Sequence, residues 1–189
     1  RFNIEHGDIK PVNILFREVD DGWDVPKVAD WGEARVKSKL DGRDALSHPY
    51  VSPEQHIEHD EQIARSLDIP MHKYRTDDAR DTDQYQLALT LYELIAEDNP
   101  YRRPSQATIQ AKIDADFEKL SSRVDEVPET LDGVIDKALS PNPRDRYNST
   151  LRFLEALAEV YDEVIDHDVS TRGIKYEGWT INTDGARPN

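Results

Sequence analysis

The chain has 189 residues, 37% hydrophobic and 33% charged, and its 39 acidic against 24 basic side chains leave a formal net charge of -15. That length supports one sizeable core and excludes two independent domains, and so negative a chain repels nucleic acid and anionic membrane surfaces. It contains no cysteine, which excludes disulfides and thiolate zinc sites and is the pattern expected of a cytoplasmic protein. No apolar run approaches a membrane span. The acid is spread along the sequence as a solvated surface, a pattern that fits either adaptation to high salt or an ordinary acidic protein. Because the sequence starts at Arg1 and not at Met, a preceding segment is expected.

In chain order, HGDIKPVN at 6–13 sets His6, Asp8, Lys10 and Asn13 in a short loop stiffened by Pro11. NILFREV follows, then the turn chemistry of Asp20, Asp21 and Gly22, then WDVPKVAD, which together predict a β-hairpin. Residues 33–52 carry no periodicity and read as a long loop. Residues 56–82 are polar and highly charged, and predict an exposed excursion with a short helix at most. The run DQYQLALTLYELIAEDNPY predicts the strongest helix, with Tyr85, Leu87, Ala88, Leu91, Tyr92, Leu94 and Ile95 on a broad apolar face and a stop at Asp98, Asn99 and Pro100. Further helices are predicted at 105–116, at 130–139 and from Thr150 to about Ile165. The last would place Leu151, Leu154, Leu157, Val160, Tyr161 and Val164 on its inner side. From Val169 onward the helical period is lost, and 167–189 read as a tail or linker after a single unit at 1–166.

Chemistry concentrates at the start of the chain. A carboxylate at Asp8, an ammonium at Lys10 and an amide at Asn13 can orient an attacking hydroxyl, neutralise a phosphoryl oxygen and hold a metal ion. Asp30, at the end of the second hairpin strand, supplies a further hard oxygen ligand of the kind Mg²⁺ prefers.

The run from His6 to Asn13, continued by Ile14 and Leu15, resembles the protein-kinase catalytic loop H-R-D-L-K-x-x-N, and Asp30, Trp31, Gly32 resemble that family's D-F-G. Gly7 and the run DWGEA are also similar to aminoglycoside and choline phosphotransferases. Ser52, Pro53, Glu54 resemble the A-P-E that closes a protein kinase's activation segment, here 30–54, and Ser47 and Tyr50 resemble the Thr and Tyr before it; the small-molecule enzymes lack this segment. Asp83, Tyr85 and Leu87 resemble the family's following helix, with Ala88 at its usual Gly, and SPNPRDRY resembles its late Arg motif.

The resemblance implies a mainly α, protein-kinase-like C-terminal lobe, a catalytic-loop hairpin followed by a helical bundle, cut from a two-lobed α+β parent. It implies transfer of the ATP γ-phosphate, with Mg²⁺, to Ser or Thr hydroxyls of a protein substrate. Asp8 would accept the hydroxyl proton, Lys10 would meet the γ-phosphate, Asn13 and Asp30 would hold Mg²⁺, and Ser47 would hydrogen-bond Asp8 and Lys10. His6 would be structural, Asp83 would brace the catalytic loop, and Arg146 would pair with Glu54. The match covers about 6–160. The family's Gly-rich loop, strand Lys and helix Glu are missing from the sequence, so this chain alone is expected to bind ATP weakly or not at all and to need an N-terminal lobe from the same or another chain. Gly7 stands where many kinases carry the Arg that gathers an activation-loop phosphate, so phosphorylation of Ser38, Ser47 or Tyr50 is not expected to switch the enzyme on. The other readings are a small-molecule phosphotransferase and a docking pseudokinase without turnover.

Overall fold

The computed structural model describes residues 5–17, 25–31, 49–59, 61–74, 79–102 and 105–172. Six helices and a two-stranded sheet follow one another in these stretches: β1 (Ile14–Arg17), β2 (Val25–Val28), α1 (Pro53–His59), α2 (Glu61–Ser66), α3 (Ala79–Ala96), α4 (Ser105–Ile113), α5 (Glu129–Ala138) and α6 (Thr150–Arg172). No helix among them is long and apolar enough to cross a membrane.

The predicted hairpin forms. β1 and β2 pair antiparallel with Ile14 opposite Val28 and Arg17 opposite Val25; the turn at 20–22 and the loop at 32–48 lie outside the described residues. Helices α1 and α6 start where side chains supply caps. Ser52 and Gln55 form a reciprocal capping box at α1, with Ser52 N–H donating to Gln55 Oε1 at 2.9 Å and Gln55 N–H to Ser52 Oγ at 3.4 Å. Pro53 occupies the first helical position, where a missing N–H costs nothing. At α6, Ser149 Oγ accepts the Arg152 N–H at 3.2 Å.

The core is built around α3, whose Tyr85, Ala88, Leu89 and Tyr92 are buried with Leu120, Ile135, Leu139 and Phe153. α5 and α6 pack on α3 and on each other. Three expectations need correction. The described part of 56–82 is exposed at Gln62, Arg65, Asp68, His72 and Lys73 as expected, but it is more ordered than expected: it holds most of α1, all of α2 and a short 3-10 turn at Met71–Lys73, and its Ile57, Ile69 and Tyr74 close a second small core on Ile109 of α4. The inner side of α6 is Phe153 and Val160, with Leu157 half-buried against the core, while Leu151, Leu154 and Tyr161 face solvent, as does Leu94 of α3. α6 also runs to Arg172, beyond the helix end expected at about Ile165.

One ion pair fastens α1 to the chain before α6. Arg146 donates to both Glu54 oxygens, at 2.8 Å each, and both side chains are buried. Its remaining donors reach Ser140 O and Pro141 O, and the guanidinium lies 4.7 Å from the centre of the Tyr85 ring. Burial alone would push the Glu54 carboxyl up, but the Arg146 charge and hydrogen bonds outweigh it and hold the group below its ordinary value. The pair's stabilisation is therefore present above the ordinary carboxylate pKa and is lost as pH falls through the lower folded value. Arg146→Met should lose about 3–5 kcal/mol by leaving Glu54 buried without its cation. In urea unfolding the gap from the parent should narrow in acid; a loss under 1 kcal/mol at neutral pH would contradict this.

Candidate active site

The loop before β1 turns sharply at both ends. Gly7 has φ 75°, where a side chain would cost about 1 kcal/mol. Pro11–Asn13 form a 3-10 turn, with the Asn13 N–H donating to Lys10 O at 3.0 Å. Between these turns the loop's own side chains meet. Asp8 Oδ2 accepts the Lys10 ammonium at 2.7 Å and the Asn13 amide N–H at 3.0 Å, and Asn13 Nδ2 also reaches Asp8 O at 2.9 Å. Asp8 and Lys10 remain about one-fifth exposed, so the carboxylate is fixed and still reachable.

The loop backbone is gripped from below by the core. Asp83 of α3 accepts the N–H groups of His6 and Gly7, one on each oxygen, at 2.9 Å. Burial pushes the Asp83 carboxyl up, against those two N–H groups, which pull it down. Gln86, one turn on, accepts the Ile9 N–H at 2.8 Å and donates to Gly7 O at 2.8 Å. Gln55 of α1 donates to the same carbonyl at 3.1 Å and accepts from Gln86 at 3.1 Å.

On the other flank the hairpin returns its end to the loop, as the Ala29 N–H donates to Asn13 O at 2.8 Å. His6 bridges the two: its Nε2 lies 3.0 Å from Ala29 O, its Nδ1 accepts the Asp8 N–H at 3.4 Å, and its ring meets Trp31 edge-on at 4.8 Å. This pattern requires the proton on Nε2. Trp31 also donates to Val28 O at 3.0 Å. Asp30 sits between them at φ 62°, a left-handed conformation that Asp tolerates better than most residues, and is exposed.

The donor set suits Mg²⁺. Since Asn13, a buried residue, spends its N–H₂ on Asp8, its amide oxygen is the donor atom it can give a metal, and Asp30 adds an exposed carboxylate; both are hard oxygen donors of the kind that leave room for substrate phosphates. Val12 of the loop, Leu15 and Phe16 of β1, and Trp31 after β2 are each exposed apolar side chains, Leu15 and Phe16 on opposite faces of the strand.

Sequence reasoning had named Asp8, Lys10, Asn13, Asp30, His6, Asp83, Glu54 and Arg146. The structure joins Asp8, Lys10, Asn13 and His6 within one loop, sets Asp83 beneath it and buries the Glu54–Arg146 pair at the start of α1; Asp30 lies between Ala29 and Trp31, which touch Asn13 and His6. Ser47 and Gly32 lie outside the described residues. Unforeseen were Gln55 and Gln86, which read as ordinary helix-surface residues, although Ser-Pro-Glu-Gln does carry the capping-box signal. Tyr50 is also more constrained than expected: buried, with its hydroxyl donating to Glu93 of α3. Burial and the Glu93 carboxylate push that phenol well above its ordinary value.

A carboxylate, an ammonium and an amide on a loop bolted to a buried helix, beside a hairpin ending in Asp, define the helical lobe of a protein-kinase fold. The protein kinase domain model matches residues 1–161, and the chain belongs to that family. It is 32% identical over 167 residues to the serine/threonine-protein kinase PknL of Mycobacterium tuberculosis, across 84% of this chain and 37% of PknL. It is 26% identical to the tyrosine-protein kinase MasK of Myxococcus xanthus, across 85% of this chain and 22% of MasK. The chain thus spans well under half the length of these relatives. Among solved structures, the Rad53 kinase domain with SCD2 in complex with AMPPNP matches with a TM-score of 0.57 at 20% identity, over 82% of this chain and 50% of that one.

Gln86→Ala should cost about 1–3 kcal/mol in chemical denaturation, because it strips partners from a buried N–H and a shared carbonyl. A change within 0.5 kcal/mol would mean that the Gln86 contacts carry no stability.

Proposed function

We propose that the chain is the catalytic half of a Ser/Thr protein kinase, which moves the γ-phosphoryl group of ATP to a protein hydroxyl. The observation that carries this reading is Asp8 held by Lys10 and Asn13 on a loop whose backbone is fixed from α3. In the reaction the acceptor oxygen forms a bond to the γ-phosphorus as the bond from that phosphorus to the β-phosphate bridging oxygen breaks, leaving ADP. Asp8 accepts the hydroxyl proton in place. Lys10, already 2.7 Å from Asp8, offsets negative charge on the transferring group. Mg²⁺, when bound, neutralises the phosphates, and Asn13 and Asp30 are the residues that would hold it. Asn13 also keeps the Asp8 carboxylate turned to the acceptor through its 3.0 Å hydrogen bond.

The exposed apolar side chains of the loop and hairpin support a second part of the reading: a nucleotide-covering lobe, supplied by the same or another chain, covers some of Val12, Leu15, Phe16 and Trp31. The packed segment Pro49–Ser52, tied through Gln55 to the Gly7 end of the Asp8 loop, supports a protein acceptor over a small alcohol as the shelf on which such a chain would lie. Tyr50 is a poor phosphorylation site, since its buried hydroxyl faces Glu93 and a phosphate there would meet a carboxylate.

With the upstream region present, labelled phosphate should pass from Mg-ATP to a generic protein acceptor, and Asp8→Asn should reduce the rate by about 10²–10⁴-fold. Transfer to choline or an aminoglycoside instead, or none to protein, would overturn the reading. Phosphatase treatment of the active enzyme should leave its rate unchanged; a fall would assign the switch to a phosphorylated segment after all.

A further inference from the structure

Lys112, on α4, is fully buried. An apolar side chain there would fill space between Ala111 and Ile113 without the cost of desolvating an ammonium. What the ammonium gains is two carbonyls: it donates to Pro49 O at 2.7 Å and to Val51 O, and it lies 5.5 Å from the centre of the Tyr101 ring. Tyr50, the residue between, is pinned separately by Glu93. Ser52, the next, gives its N–H to Gln55, whose amide reaches Gly7 O. The segment 49–52 is thus fixed at successive residues and joined to the loop that carries Asp8.

The hairpin takes the Asn13 end of that loop, where Asp30 lies. Segment 49–52 is tied through Gln55 to the Gly7 end; Pro49 is half-buried and Tyr50, Val51 and Ser52 are buried, so what an acceptor chain would meet here is a fixed backbone shape. We propose that Lys112 is a positioning residue for the protein acceptor: by holding the Pro49 and Val51 carbonyls it sets the shape of the acceptor shelf without touching acceptor, nucleotide or metal. This rests on the phosphotransfer reading above.

Among the described residues, the charge acting on Lys112 is that of Glu54. Glu54 of α1 acts on it across the helix contact and is itself paired with Arg146, and Tyr101 offers only its ring face. Burial pulls the ammonium down to about 7, with Glu54 pushing the other way. The charge-assisted clasp is therefore fullest below neutral pH, and above it a neutral amine holds the same carbonyls less strongly.

The test uses the enzyme with its upstream lobe and an acceptor peptide that has no group titrating between pH 6 and 8.5. Lys112→Met, which keeps the stem and removes the donors, should raise the acceptor KM about tenfold at pH 6.5 and leave the KM for Mg-ATP within twofold. In the unmodified enzyme the acceptor KM should climb severalfold from pH 6 to 8.5, and in the variant it should stay level. An unchanged acceptor KM in a folded variant, or an equal rise in both KM values, overturns the inference. If the variant does not fold, the pH arm on the unmodified enzyme decides: a level acceptor KM there overturns it too. No transfer by the unmodified enzyme would sink the kinase reading itself, which is a different result from transfer with an indifferent Lys112.

Discussion

The first half of α3 is the constraint on which the rest hangs, and it is a polar one. Asp83, Gln84 and Gln86 are on a helix at the centre of the core, yet each spends its side chain on the backbone of another segment. Asp83 holds His6 and Gly7. Gln86 holds Ile9 and Gly7. Gln84 exchanges two bonds with Tyr147, accepting its N–H at 3.0 Å and donating to its carbonyl at 3.1 Å. A buried amide that lost such a partner would cost about 1–3 kcal/mol, so the loop, the chain before α6 and α3 have to be in register together.

The same logic extends outward by ion pairs and buried donors. Arg146 locks α1 to the segment before α6 through Glu54, and Lys112 locks α4 to the segment before α1. Pairs like these add little net stability against apolar replacements and penalise the wrong arrangement heavily. They suit a site whose parts come from distant stretches of chain: residue 8 from a loop, residue 30 from a hairpin, residues 49–52 from the segment ahead of a helix. Geometry held this way does not rely on loop stiffness, and it leaves Asp8 fixed while still partly exposed.

Much of this was legible in the residue order. The hairpin followed from two runs of apolar and β-branched residues around a turn signal, and α3 from helical periodicity up to a clear stop. The site was legible because Asp8, Lys10, Asn13 and Asp30 are chemically distinctive and fall close together in sequence. The order within 56–82 was missed because Ile57, Ile69 and Tyr74 are too far apart to show a period; they form a core only when Ile109 arrives from α4. On α6 the leucines suggested the wrong face, since Phe153 one residue away takes the buried position. Gln55, Gln86 and Lys112 belong to residue types that are mostly exposed, and only their three-dimensional partners reveal them as buried anchors.

The central claim is that the helical core alone holds the catalytic loop in its working shape, before any second lobe or nucleotide is present. Native-state hydrogen exchange on this chain by itself tests that most directly, read at the amides of His6, Gly7 and Ile9. The account predicts that these three exchange slowly, with opening free energies close to those of the α3 amides, because Asp83 and Gln86 release them only when the core opens. Exchange at the rate of an unstructured loop, with α3 still protected, would contradict it.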